Sequence, residues 1–181
     1  MKSIRADATS SCKMRAMPTA HLICGATGAG KTGYAIALAA RTRSVRFSVE
    51  QWLVALFGAD EPPAFNLEWT LDRVARCQSQ IWVVAEPTLM AGTSVVLDLG
   101  LPTADERDLW RARVAGTIAE SKLHYLDVSR QVRRARVLER NLSRASGDPL
   151  AISETSFDRM DARFEPPTDD ELYGAMILCE E

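Results

Sequence analysis

With 181 residues, 46% of them hydrophobic, the chain is long enough for one compact domain with a substantial core. Its formal net charge is −2 and most of its 22 basic residues are arginine, so the chain as a whole lacks the basic excess of a nucleic-acid binder. No stretch approaches the roughly 18 consecutive apolar residues of a membrane span, and Cys12, Cys24, Cys77 and Cys179 form no C-x-x-C pair; three of the four sit in apolar runs, which predicts reduced core thiols and a cytoplasmic protein.

Residues 1–18 are basic, contain serine and lack hydrophobic periodicity, and are read as a flexible leader before a domain spanning 19–181. A transit peptide and a natural start at Met17 are the alternatives for that segment. An apolar run at 20–24 ends in a Gly-rich turn that opens into an Ala-rich helical stretch over 32–40. Further strand-length runs stand at 45–47, 94–97, 123–126 and 175–179, separated by helical patterns, and this alternation predicts a parallel sheet covered on both faces. Leu67, Leu71, Val74, Cys77, Ile81 and Val84 recur at spacings of three and four and predict one long helix with a buried stripe; Pro87 is expected to kink or finish it before Gly92. Thr103 and Glu106 have the form of a capping box, starting a helix through Trp110 to about Ala115.

Gly25-Ala26-Thr27-Gly28-Ala29-Gly30-Lys31-Thr32 matches G-x-x-x-x-G-K-[ST] at every required position and lies between a predicted strand and a predicted helix. Glycines let backbone N–H groups wrap phosphates, and the helix N-terminus adds partial positive charge. Lys31 is then placed for the β- and γ-phosphates and Thr32 for Mg²⁺. A guanine-specificity Asn-Lys-x-Asp is absent from the sequence, so ATP is the expected nucleotide.

From Ser129 to Arg144, Ala135, Leu138 and Leu142 share one helical face, while Arg130, Arg133, Arg136, Arg140 and Arg144 gather around the other. Glu139 is the one acid in the helical part of that stretch, so the charge repulsion is expected to be offset by an anion, with polyphosphate the obvious candidate. A solvated Arg-rich helix or a basic docking patch is the plainer reading. His21 and His124 lie within strand runs and are assigned no role.

Over residues 18–172 the chain resembles the small bacterial AAA-type P-loop kinase-like proteins, relatives of zeta toxin, chloramphenicol phosphotransferase and the kinase domain of polynucleotide kinases. The likeness rests on the P-loop, on 46–52, 95–100, 124–128 and 133–141, and on Phe164-Glu165-Pro166-Pro167. It implies an α/β P-loop NTPase fold of the kinase-like type: a five-stranded parallel sheet, helices on both faces and an Arg-rich lid. It implies a base after the second strand, where Glu50 stands in place of the usual aspartate, with Asp98 as the fallback. An ordinary first-turn carboxylate for Glu50 and a strand-end loop residue for Asp98 remain open. Arg136 and Arg140 align with lid arginines that stabilise the transferring phosphoryl group, and Arg133 with nucleotide binding.

The expected activity is transfer of the γ-phosphate of Mg²⁺-ATP to a hydroxyl of a small molecule such as an antibiotic, nucleoside or aminocyclitol. The alternatives are a slowly hydrolysing ATP-binding switch and a 5′-hydroxyl nucleic-acid kinase. Residues 50–91 hold Glu50, Asp60, Glu61, Glu68, Asp72 and Glu86 against Arg73 and Arg76, a net of −4. Such a wall on the acceptor side favours a neutral or cationic acceptor and excludes nucleic acid, although a solvated face with an Asp72–Arg76 pair is the plainer account. No membrane partner is expected, and the oligomeric state is left open.

Overall fold

The computed structural model describes residues 16–60, 62, 66–142 and 152–180. Cys12, Glu61, Arg144 and residues 1–15 of the expected leader lie outside the described residues. Strands β1 (Thr19–Cys24), β2 (Val45–Ser48), β3 (Val95–Gly100), β4 (Glu120–Val128) and β5 (Met176–Glu180) form one all-parallel sheet in the order β2-β3-β1-β4-β5. The predicted apolar runs correspond to these strands, β3 and β4 extending beyond them. Between the strands run α1 (Lys31–Thr42), α2 (Val49–Phe57), α3 (Leu67–Met90), α4 (Ala104–Ala115), α5 (Arg130–Leu142), α6 (Glu154–Ala162) and the short α7 (Asp169–Leu172).

Alternate residues of each central strand feed opposite cores. Ala20, Leu22, Val95 and Leu97 pack with Ile81 and Leu89 of α3 and with Trp110 and Val114 of α4. Ile23, Val96, Leu126 and Val128 pack with Ala35 and Leu38 of α1. Burial on both faces is why these strands read as continuous apolar runs rather than as alternating ones. Truncating a fully buried leucine such as Leu22 to alanine removes about 2–5 kcal/mol of stability.

Helix α3 departs from its predicted stripe. Its core contacts repeat every four residues, at Cys77, Ile81, Ala85 and Leu89, so Val84 is 40% exposed. Leu67 and Leu71 are 45% and 37% exposed, so the first turns of the helix do not belong to the core. Pro87 sits in the last turn, which runs on to Met90 and ends before Gly92, a residue at φ +80°. At α4, Thr103 accepts from the Glu106 N–H at 3.3 Å, but the Glu106 carboxylate is paired with Arg163 at 2.9 Å. The complete capping box is at α7, between Thr168 and Glu171, where the same sequence signature also stands.

Glu171 also closes a buried clamp. It accepts from Arg107 Nε at 2.7 Å and Nη2 at 3.0 Å and from Arg111 at 2.8 Å, and the fully buried Arg107 donates further to the Glu165 carbonyl. These donors hold the Glu171 carboxyl well below the usual carboxylate range, at about 2. Cys24 and Cys77 are buried free thiols, whereas Cys179, on edge strand β5, is exposed rather than part of the core. No helix among the described residues is long and apolar enough to cross a membrane.

Candidate active site

The carboxyl ends of β1, β2 and β3 meet at one edge of the sheet, the place where α/β sheets bind ligands. After β1 the chain turns through the Gly-rich loop and enters α1 directly, with Gly30 at φ +88° as its N-cap. The first N–H groups of α1 have no partners within the helix and form an anion cradle. Gly28, at φ +83°, could carry no side chain: a Cβ there would lie 2.5 Å from the Arg133 carbonyl oxygen. Lys31 Nζ donates to the Gly25 and Ala26 carbonyls at 2.8 and 3.0 Å, reaching back over the loop. Burial pushes the Lys31 ammonium below its usual pKa, while the charges of Asp98 and Glu50 push it back up.

A cavity of about 390 Å³ opens beside the loop, and Lys31, Thr32, Glu50, Asp98, Arg136 and Arg140 all stand on its wall. Glu50 is in the first turn of α2, whose N-cap Ser48 accepts from the Gln51 N–H at 3.4 Å. Among the described residues Glu50 forms no ion pair, and its side chain is exposed to the cavity. Asp98 is buried and receives Arg46 Nη2 at 2.7 Å; Arg46 also reaches Gln51 at 3.2 Å. The sequence assigns Arg46 no role, and its separation of 52 positions from Asp98 leaves no local signal for the pair.

Helix α5 presents the opposite face from the one expected. Ala135, Leu138 and Leu142 are exposed, while Arg133 and Val137 are buried toward the loop. Arg133 approaches the P-loop from behind, donating to the Thr27 carbonyl at 3.2 Å, the Val128 carbonyl at 2.9 Å and Asp161 at 2.6 Å. Carboxylates within the chain offset the arginines, so no anion is needed for that. Arg130 pairs with Asp158 and Asp161, Arg134 with Glu154, and Arg136 with Glu180. Asn141 brackets the far end of the helix to the start of α6, its side chain donating to the Ile152 carbonyl at 2.8 Å and accepting from the Ile152 N–H at 3.2 Å.

A second cavity of about 280 Å³ adjoins the first and shares Thr27, Lys31, Val49, Leu99 and Met160 with it. Its α3 wall is Leu67, Thr70, Leu71, Val74 and Gln78. Among the described residues the expected acidic wall does not line it: Glu68 and Asp72 are not among the lining residues, and Asp72 is bound to Arg73 at 3.0 Å and Arg76 at 3.1 Å. Phe164 lines this cavity and stacks on Tyr125, while Glu165 accepts from the Ala104 N–H at 2.8 Å, fixing the turn before Pro166. His21 and His124 lie away from both cavities as a buried hydrogen-bonded pair at 2.9 Å, and Tyr34 of α1 contacts the second imidazole at 2.7 Å. Burial lowers the His124 pKa to about 4.

Sheet order, P-loop and helices on both faces together define a P-loop kinase-like α/β protein. Residues 21–167 match the model of a family described as AAA domain, and the chain belongs to that family. No curated protein matches the chain. Among solved structures, Kti12 from Chaetomium thermophilum, in complex with ADP-AlF3, aligns with a TM-score of 0.65 at 16% identity, over 90% of this chain and 89% of that one. A sugar kinase from Janibacter sp. HTCC2649, unliganded, aligns at 0.58 and 18% identity, over 90% and 86%. A chain of the Pnkp1/Rnl/Hen1 RNA repair complex aligns at 0.63 and 14%, over 84% of this chain and 45% of that one. At these identities the likeness is one of fold.

Proposed function

We propose that this protein transfers the γ-phosphate of Mg²⁺-ATP to the hydroxyl of a small molecule in the cytoplasm. The observation that carries this reading is the gathering of Lys31, Thr32, Glu50, Arg136 and Arg140 around one cavity with a second, ligand-sized cavity opening onto it. The loop backbone from Gly25 to Gly30 would cradle the phosphates and Thr32 would ligate the magnesium ion. Mg²⁺-ATP supplies the phosphoryl group and the metal's charge when bound. Glu50 orients the acceptor hydroxyl and takes its proton as the new O–P bond forms and the bond to the ADP oxygen breaks. Lys31 with Arg136 and Arg140 balances the negative charge of the group in flight. Arg133 holds Thr27 in place from behind rather than touching the nucleotide.

The test is incubation of the purified protein with ATP and pooled nucleosides, sugars, aminocyclitols and antibiotics, read as mass gain of one phosphate. A product in any pool supports the reading; ATP binding with no product in any pool sinks it. One observation favours a second reading, a slowly hydrolysing switch: Arg46 engages Asp98, the other carboxylate of the cavity, at 2.7 Å. Under that reading an Arg46→Met variant would hydrolyse ATP faster than wild type without any acceptor. The fold neighbours range from a sugar kinase to a chain of an RNA repair complex, so exclusion of nucleic acid is part of the proposal, and phosphorylation of a 5′-hydroxyl oligonucleotide would overturn that part.

A further inference from the structure

We infer that the acceptor is a compact, ring-bearing alcohol with a mostly apolar body, not a sugar or polyol. This rests on the phosphotransfer reading and narrows it. The second cavity is walled by Leu67, Leu71 and Val74 of α3 together with Val49, Met160 and Phe164. Leu67 and Leu71, in the first turns of α3, are 45% and 37% exposed, so no core of the described residues takes up this apolar surface. An apolar wall at that position gains free energy from an apolar ligand and nothing from hydroxyl groups, which would lose their water there.

The polar side chains of the wall include Thr27 and Lys31, shared with the first cavity, and Thr70, Gln78, Arg159 and Arg163. Thr70 Oγ1 donates to the Asn66 carbonyl at 2.9 Å, and Arg163 is paired with Glu106. Arg159 is exposed, and Gln78 is half-buried. Glu106 receives Arg163 on one carboxylate oxygen, and the other, Oε2, is buried out of reach of the cavity. A volume of about 280 Å³ suits one ring with a short side chain.

The probes are phenylethanolamine, phenethyl alcohol, glucose and inositol, each titrated calorimetrically into the protein saturated with a non-hydrolysable ATP analogue, and each assayed separately for phosphate gain with ATP. The expected result is binding of both phenyl compounds and neither sugar-like one. Leu71→Lys and Leu67→Lys, both at partly exposed helix positions, should each weaken phenyl binding about tenfold. No phenyl binding, or unchanged affinity in both lysine variants, overturns the inference, as does phosphate transfer to glucose or inositol without phenyl binding; that last result leaves phosphotransfer standing. Phenyl binding without phosphate gain keeps the inference and removes the phosphotransfer reading instead.

Discussion

Lys31 spends its ammonium on two loop carbonyls and on whatever anion the loop holds, not on the core. Lys31→Ala should therefore abolish ATP turnover while the melting temperature without nucleotide stays near wild type; retained turnover would dissociate the loop from ATP chemistry. For Glu50 the expectation separates binding from chemistry. Glu50→Gln should slow phosphate transfer by about 10²–10⁴-fold with nucleotide affinity unchanged, and near-normal transfer would leave Glu50 as a helix first-turn carboxylate. The loop was legible because eight consecutive residues carry their own backbone instructions, down to the glycine that admits the Arg133 carbonyl. The Arg46–Asp98 pair was not, since it joins neighbouring strands whose register is set only by the assembled sheet.

Elements were legible where burial follows a single period. The five strands and the α4 span follow from apolar runs and a cap, but α5 reversed its expected faces because hydropathy scores arginine as a surface residue. Arg133 is buried by virtue of Asp161, which lies 28 residues away and belongs to another helix. The leading turns of α3 misled in the other direction, as their leucines line a cavity rather than the core. The Arg107–Glu171 clamp gives a test at this scale, since it joins α4 to the segment leading into β5. Glu171→Gln strands a buried guanidinium and should cost about 3–5 kcal/mol in denaturant unfolding. Because the folded Glu171 pKa is depressed from 4.5 to about 2, the stability it contributes is complete above 4.5 and is lost as pH falls toward 2.

Taken whole, the molecule hides a base pair of imidazoles between its sheet and α1. His124 titrates near 4 when folded and near 6.5 when unfolded, so the unfolded chain binds the extra proton in between. Stability should accordingly fall as pH drops from 6.5 toward 5, a range in which Glu171 is largely ionised both folded and unfolded; unfolding free energies that stay flat over that range would show that His124 is not held neutral. At the same scale, Asn141 meets both backbone groups of Ile152, and Arg130 and Arg133 of α5 meet Asp158 and Asp161 of α6. The ends of the connection between α5 and α6 are thus joined to each other by the domain itself, and what runs between them is a closed ring in the polymer sense. Ring entropy grows only with the logarithm of length, so doubling that connection with Gly-Ser residues should lower unfolding free energy by only about 0.6 kcal/mol. Evolution can therefore rewrite the connection between α5 and α6 almost without reference to the stability of the sheet.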